Sequence, residues 1–219
     1  MAQNWFFVAA GTPATGANPV VGVPTGYSAN DKLIIVAVNN SNTGTTPFTT
    51  PSGWTSAAPS GSSRNLSIYY KTATASESSV TVTCSDSTSS AVMLCYSSVS
   101  SIDVVGTVNA QTTVSTLSTN SLTTTTADDL VISIFTKPIG SQTWTSGSVT
   151  GTTQRVLFNS TSGGAGYCGF LICDENQSSA GATTVRSATL SASTGSANSV
   201  GISFKQTISA TTSNFFAMF

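Results

Sequence analysis

Apolar residues occur in blocks of strand length, and this pattern constrains the fold more than any other feature of the chain. Each block runs for five to nine residues, and the segments between blocks are rich in Ser, Thr, Gly and Pro, which is typical of β-strands and their turns. No window keeps helical apolar spacing for three turns. The sequence therefore predicts an all-β chain. The blocks lie at 32–38, 66–71, 79–85, 91–99, 129–135, 155–159, 167–174, 185–192 and 199–207.

The second half of the chain resembles the first half at a shift of about 97 residues. Residues 8–38 match residues 105–135 without a gap, and the order of the later blocks also repeats. The matched pairs are Val20 with Leu117, Asp31 with Asp128, Leu33 with Leu130 and Ile35 with Ile132. With small insertions the "WTS" at 54–56 also matches the "WTS" at 144–146. A repeat of this length that carries four or five strands indicates an internal duplication.

Two such units predict eight to ten strands, which we expect to form one two-sheet β-sandwich of jelly-roll type. Two small sandwiches in tandem are the alternative. The joint at 100–127 still contains scattered Val and Leu residues, which favours one sandwich because a flexible linker would be poorer in them. The predicted boundaries are an N-terminal arm at 1–7, a sandwich at 8–208 with halves 8–102 and 105–208, and a C-terminal aromatic arm at 209–219.

Both ends of the chain carry clusters of large apolar side chains that lie outside the matched repeats. Free termini are normally polar and frayed unless another surface holds them. Each large side chain that becomes fully buried contributes about 1.5 to 3 kcal/mol, so we expect these clusters to contact a partner. The predicted contact residues are Trp5, Phe6, Phe7, Phe215, Phe216, Met218 and Phe219.

Composition argues against most kinds of catalytic and binding site. The chain has no histidine, which excludes Ser-His-Asp triads, Cys-His pairs and histidine-ligated metals. Its seven Lys and Arg residues are not clustered, whereas nucleic-acid binding requires the neutralisation of many phosphates. The acidic cluster "CDEN" at 173–176 lacks the spacing of a calcium loop. We therefore expect no enzymatic activity, no cofactor, no metal and no nucleic acid.

The surface is predicted to be rich in hydroxyl groups and poor in charge. Charged residues make up 7% of the chain, against roughly 25% in ordinary soluble proteins, and about a third of the residues are Ser or Thr. No apolar run approaches the roughly 20 residues of a membrane span, and the N-terminus lacks the pattern of a secretory signal. We expect no membrane partner and no signal peptide.

The four cysteines do not have the spacing of a metal or redox motif. Neither Cys84 and Cys95 nor Cys168 and Cys173 form a CxxC pair. Cysteine is among the residues most often buried in protein cores. We therefore expect four buried thiols.

Some internal aromatic residues are candidates for stacking on sugar rings. Trp54 and Trp144 hold matching places in the two repeats, which favours core packing for both. Tyr69 and Tyr70 are neighbours in one predicted strand, so one side chain points inward and the other outward. Tyr69 and Tyr70 are therefore the candidate ligand aromatics if the protein binds carbohydrate.

The first half also resembles a recurrent class of β-sandwich proteins from bacteriophage and prophage virions. The resemblance is carried by "DKLIIVAV" at 31–38, "TTPSGWT" at 49–55, "LSIYYKTATASESSVTVT" at 66–83 and "YSSV" at 96–99. It implies a non-enzymatic structural virion protein, most simply a capsid decoration or cement subunit that stabilises the particle through subunit contacts. The alternative that the resemblance leaves open is a carbohydrate- or receptor-binding domain of a phage tail, fibre or adhesin.

The resemblance also implies the partners and the location of the protein. The expected partners are the major capsid protein or other virion subunits, together with further copies of this chain, for which a trimer is a common arrangement. The expected location is the virion, after synthesis in the host cytoplasm.

Overall fold

The computed structural model describes residues 3–40, 48–57, 66–85, 88–137, 141–160 and 168–207. These residues form an all-β protein, without a helix in any of the described ranges. The strands of the first half are β1 (Phe6–Ala10), β2 (Ala14–Gly16), β3 (Val20–Val21), β4 (Lys32–Asn39), β5 (Thr55–Ser56), β6 (Leu66–Thr72), β7 (Val80–Thr81) and β8 (Ser89–Ser97). The strands of the second half are β9 (Val99–Val105), β10 (Asn109–Gln111), β11 (Val114–Ser118), β12 (Thr123–Thr124), β13 (Asp129–Lys137), β14 (Thr153–Asn159), β15 (Gly169–Gln177), β16 (Gly181–Ala182), β17 (Ser187–Thr194) and β18 (Ala197–Gln206).

Two six-stranded antiparallel sheets have the same order of strands. The first sheet runs β1, β8, β4, β6, β5, and β2 also pairs with β8. The second sheet runs β10, β18, β13, β15, β14, and β9 also pairs with β18. Each sheet therefore takes its strands from one half of the chain. Two successive strands form one edge of each sheet: β1 and β2 along β8 in the first, and β9 and β10 along β18 in the second.

Three two-stranded sheets complete the fold. In the first half β3 pairs with β7, and in the second half β11 pairs with β17. A further pair joins β12 to β16. The segment at 100–127 thus forms short strands that pair with the rest of the second half.

The inner faces of the two six-stranded sheets share one hydrophobic cluster. Alternate residues of the central strands point into it, as the two-residue period of a strand requires. Its central members are Ile34, Val36, Ile68, Val92 and Leu94 of the first sheet and Ile132, Ile134, Phe170, Ile172, Val200 and Ile202 of the second. The two halves therefore bury one another across a common core, in a sandwich-like arrangement.

The outer face of each large sheet is also covered. Leu33, Ile35 and Met93 of the first large sheet pack in one cluster with Val21 of β3 and with Val82, which directly follows β7. A corresponding cluster lies on the outer face of the second large sheet, and its members include Leu117, Phe135, Trp144, Leu171, Ala188 and Leu190. Because β4 and β13 are buried on both faces, their sequences read as continuous apolar runs instead of alternating ones.

The gap-free match between the halves pairs residues of opposite faces. Leu33 and Ile35 lie in the outer cluster of the first sheet, whereas Leu130 and Ile132 lie in the shared inner core. A shift of one residue moves every side chain of a strand to the other face. The predicted pairs Leu33 with Leu130 and Ile35 with Ile132 are therefore wrong as structural equivalents.

A backbone feature gives the correct correspondence of these strands. Asn30 and Asp128 both have positive φ, at 75° and 60°, just before β4 and β13. Ile34 lies four residues after Asn30, and Ile132 lies four residues after Asp128. Ile34 therefore corresponds to Ile132, and both side chains point into the shared core. The shift at these strands is thus one residue longer than the predicted one.

The "WTS" match does not join equivalent positions either. Trp54 immediately precedes β5, whose Thr55 pairs with Tyr70 of β6. Trp144 instead forms an isolated bridge with Leu190 of β17. Both tryptophans are nevertheless buried in the outer clusters of their sheets, so the prediction of core packing is confirmed.

Candidate functional site

The two ends of the described chain leave the fold side by side. The backbone N of Asn4 donates to Oε1 of Gln206 at 2.9 Å, and Asn4 Nδ2 donates to the carbonyl of Thr207 at 3.4 Å. Thr207 N in turn donates to the carbonyl of Ser98 at 2.7 Å. The start of β1, the end of β18 and the turn between β8 and β9 therefore meet at one place.

Trp5 and Phe7 lie in the core of this chain. Trp5 is 3% exposed and its Nε1 donates to Oδ1 of Asn176 at 3.1 Å. The rings of Trp5 and Phe7 pack edge-on against Tyr96, with centroid distances of 6.2 and 5.3 Å. The sequence placed both residues in an arm at 1–7, but β1 begins at Phe6 and pairs with β8, so the fold begins before residue 8.

Phe6 points away from that core because successive side chains of a strand alternate between faces. It is 60% exposed, which makes it one of three large apolar side chains found exposed in the described residues, with Val20 and Val185. We call the surface formed by Asn4, Phe6, Ser98 and Thr207 the terminal patch, which lies over the buried Gln206. The other predicted contact residues, Phe215, Phe216, Met218 and Phe219, lie outside the described residues, as does the predicted arm at 209–219.

The two candidate ligand tyrosines point to opposite faces of β6, as the sequence predicts, but both faces are covered. Tyr69 is 2% exposed and belongs to the outer cluster. Tyr70 packs edge-on against Phe204 of the second sheet at 6.0 Å, and Lys32 Nζ lies 6.0 Å from its ring centroid. The expectation of an outward tyrosine does not hold here because β6 is sandwiched between two layers.

The acidic cluster at 173–176 is divided among different partners. Asp174 Oδ2 accepts from Arg155 Nε at 2.7 Å, Glu175 forms an ion pair with Arg186, and Asn176 bonds to Trp5. Among the described residues, no group of three or more His, Cys, Asp or Glu side chains is placed to hold a metal ion. Alternation along β15 is the reason, since neighbouring side chains face opposite sides.

A charged and aromatic network joins the two large sheets beside the terminal patch. The Arg155 guanidinium lies over the ring of Phe7 at 4.5 Å and also binds Asp174. Burial raises the pKa of Tyr96 well above its ordinary value, and the neighbouring Asp174 carboxylate raises it further. Burial likewise raises the pKa of Asp174, although Arg155 opposes this shift. Sequence patterns do not reveal this network because its members are far apart along the chain.

Two neighbouring carboxylates, Asp103 of β9 and Asp129 of β13, lie close to β18. Asp103 accepts from the backbone N of Thr125 at 2.6 Å and lies 3.4 Å from Lys205 Nζ. Burial alone would raise the pKa of Asp103, but the bonds from Thr125 lower it. For Asp129, burial and then Asp103 raise the pKa to about 6.

The four cysteines are buried as thiols, which confirms the prediction from their spacing. Burial raises the pKa of Cys95 and of Cys168 to about 12 and the pKa of Cys173 to about 11. In addition, the carboxylate of Asp31 disfavours the thiolate of Cys95. All four thiols fill space in the core, and Cys95, Cys168 and Cys173 hold their protons at neutral pH.

Comparison with protein-family models, with curated proteins and with solved structures finds no match to this chain. The strands and their pairing define an all-β, sandwich-like protein. Outside the gaps given above, residues 3–207 include no helix with the length and apolarity needed to cross a bilayer.

Proposed function

We propose that the chain is a non-enzymatic structural subunit that binds neighbouring subunits through the terminal patch. The observation that carries this proposal is the meeting of both chain ends beside the exposed ring of Phe6. The predicted aromatic arm at 209–219 follows Thr207 of this patch by two residues in the sequence.

Apolar burial would supply the binding energy at this patch. Phe6 and the four large C-terminal side chains Phe215, Phe216, Met218 and Phe219 would each contribute about 1.5 to 3 kcal/mol when fully buried. Part of this gain is offset by the ordering of the tail on binding. The scarcity of charge elsewhere in the chain means that little electrostatic repulsion opposes close packing of copies.

The virion setting follows from the sequence resemblance. In that setting the chain is a capsid decoration or cement subunit that stabilises the particle, and its partners are the major capsid protein, other virion subunits and further copies of itself. A trimer is the expected assembly.

We further propose that the two halves arose by duplication and pack with two-fold pseudo-symmetry. Tyr70 pairs with Ile34, and Asp174 pairs with Ile132. Because Ile34 corresponds to Ile132, Tyr70 is the counterpart of Asp174. By the same register Tyr96 is the counterpart of Phe204. Two-fold symmetry requires that contacts occur in exchanged pairs, and Tyr96 lies against Asp174 while Phe204 lies against Tyr70. The jelly-roll type of the sandwich stays a prediction.

The docking proposal is tested with two variants and one control. We expect deletion of residues 208–219 to leave the melting temperature nearly unchanged while it abolishes self-association in sedimentation velocity and binding to purified particles. Phe6→Ser should weaken association roughly tenfold, the equivalent of about 1.4 kcal/mol. Val20→Ser is the matched control, because Val20 is also exposed, at 53%, but lies on β3.

Two results would contradict the docking proposal. One is a deletion variant that no longer unfolds cooperatively, because the tail would then belong to the core of the chain. The other is equal association of the Phe6→Ser, Val20→Ser and unaltered proteins.

A further inference from the structure

A polar groove lies on the outer side of the first half, away from the shared core. Its volume is about 440 Å³, and it is bordered by residues 49–52, by Trp54, by Lys71 of β6, by residues 77–81 and by Thr83. This volume is within the range of small-molecule sites in proteins, about 300 to 1,000 Å³. Most of the described side chains that line it are Ser or Thr hydroxyls, and among these described residues Trp54, Lys71 and Glu77 are the aromatic and charged members.

The charged groups of the groove are paired and fixed in place. Lys71 Nζ lies 2.8 Å from Oε2 of Glu77. Oε1 of Glu77 accepts from the backbone N of Thr74 at 2.7 Å and from its hydroxyl at 2.9 Å, and Glu77 N donates to the hydroxyl of Tyr27 at 2.7 Å. Burial alone would raise the pKa of Glu77, but the hydrogen bonds from Lys71 and Thr74 lower it. The groove therefore presents an ammonium donor and a carboxylate acceptor side by side, with no net charge.

Trp54 provides an apolar wall of the groove. Its side chain is 9% exposed and packs in the outer cluster of the first sheet. Lys71 Nζ lies 5.8 Å from the ring centroid of Trp54, which holds the lysine head over the ring. One aromatic surface, one charge pair and several hydroxyl groups thus meet in the same concave space.

We propose that this groove binds a neutral carbohydrate. Adjacent donor and acceptor groups match the vicinal hydroxyls of a sugar, and the part of the Trp54 indole that borders the groove can contact its apolar C–H groups. A phosphate or another anion would require cations that are not already neutralised by a carboxylate. The proposal extends beyond docking through the terminal patch and does not rest on it.

Tryptophan resonances provide a direct test of this site. The chain has three tryptophans, and of these only Trp54 borders the groove. Full-length protein labelled with 5-fluorotryptophan is first screened on an array of neutral, sialylated and sulfated glycans. The array hits, with maltotriose, chitotriose and lactose, are then titrated to about 10 mM, which detects Kd values near 1 mM. Trp54→Phe assigns the Trp54 signal in the ¹⁹F spectrum.

We expect at least one neutral glycan to shift the Trp54 signal saturably and to leave the signals of Trp5 and Trp144 in place. The proposal is overturned if no neutral glycan shifts the Trp54 signal. It is also overturned if only sialylated or sulfated glycans do so, or if a Ser- and Thr-rich peptide binds there and the neutral glycans do not.

Two variants locate the contact. Lys71→Met keeps the aliphatic stem and removes the ammonium donor, and it should weaken glycan binding at least tenfold. Ser79→Phe fills the groove from an exposed position and should abolish binding even if Lys71→Met proves unstable. Lys205→Met is the matched control, since Lys205 is also paired to a carboxylate, that of Asp103, and it should bind as the unaltered protein does. Unchanged binding by a folded Ser79→Phe variant would overturn the assignment.

Discussion

Asp129 lies at the start of β13 against Asp103, with Lys205 on the other side of Asp103. Burial and the neighbouring carboxylate raise the pKa of Asp129 from 3.8 to about 6. Between these two pH values the folded chain holds a proton that the unfolded chain has released. Asp129 therefore makes the protein less stable as pH rises from about 4 to about 6. Asp103, whose pKa is lowered, contributes with the opposite sign.

Asp129→Asn should remove the part of the pH dependence that belongs to Asp129. An amide imitates the protonated carboxyl group and does not titrate. We expect the melting temperature of the variant, relative to that of the unaltered protein, to increase as pH is raised from 4 to 7. Thermal unfolding at several pH values measures this difference. Its value at pH 4 is the reference, because the side chain at position 129 is then neutral in both folded proteins. A difference that does not vary with pH would show that Asp129 ionises normally in the folded chain.

At the scale of single elements, the long strands were predictable and the short ones were not. The run "KLIIVAV" coincides with β4 because a strand buried on both faces must be apolar throughout. The block at 79–85 was predicted as a full strand, yet β7 spans only Val80–Thr81 because its partner β3 has two residues. Because both faces of these strands are apolar, the sequence does not show which side chains point to the inner core and which to the outer cluster. This explains the one-residue error in the match between Leu33 and Leu130.

The candidate site depended on contacts that sequence patterns do not reveal. Trp5 and Phe7 appeared to be free because they precede the first long apolar block, and their burial follows from the pairing of β1 with β8, about ninety residues away. Phe6 is exposed, unlike its two neighbours, and its contact with a partner stays a prediction. The close spacing of Lys71 and Glu77 across a turn was a usable signal for the groove, but it was not recognised among the many Ser and Thr residues.

Arg155 of β14 forms an ion pair with Asp174 of β15, and its guanidinium also lies over Phe7 of the first sheet. We expect this ion pair to stabilise the contact of the two sheets. Asp174 is fully buried, so removal of Arg155 would leave an uncompensated carboxylate between the sheets. We expect Arg155→Met to lower the free energy of unfolding by about 3 kcal/mol at pH 7, the low end of the range for a broken buried ion pair, because the Arg155 side chain is partly exposed. The Arg155→Met, Asp174→Asn double variant should recover most of this loss, because its buried groups are neutral.

Urea unfolding of the two single variants and the double variant forms a thermodynamic cycle for this pair. A coupling energy near zero would contradict the proposed role of Arg155. In that case its stacking on Phe7 would account for the loss, and Asp174→Asn would not restore stability.

For the whole molecule, the shared inner core predicts that neither half is stable alone. The inner faces of both large sheets are buried against each other, so separation would expose two extended apolar surfaces. We expect residues 1–98 and 99–219, expressed separately, to aggregate or to lack cooperative unfolding. When mixed during refolding they should associate into one species with the circular dichroism spectrum of the intact chain.

Size-exclusion chromatography with light scattering measures that association. Cooperative unfolding of either half by itself, near the melting temperature of the intact protein, would instead support two independent sandwiches in tandem. The cut follows Ser98, which lies in the turn between β8 and β9.

The buried thiols have a consequence for the durability of the molecule. Disulfide exchange and oxidation proceed through the thiolate, and at neutral pH Cys95, Cys168 and Cys173 hold their protons because their pKa values lie near 11 to 12. Their sulfur atoms are also shielded by the sheets that enclose them. The covalent structure of the folded chain should therefore be the same in a reducing and in an oxidising medium, so that a change of surroundings requires no chemical maturation of these thiols.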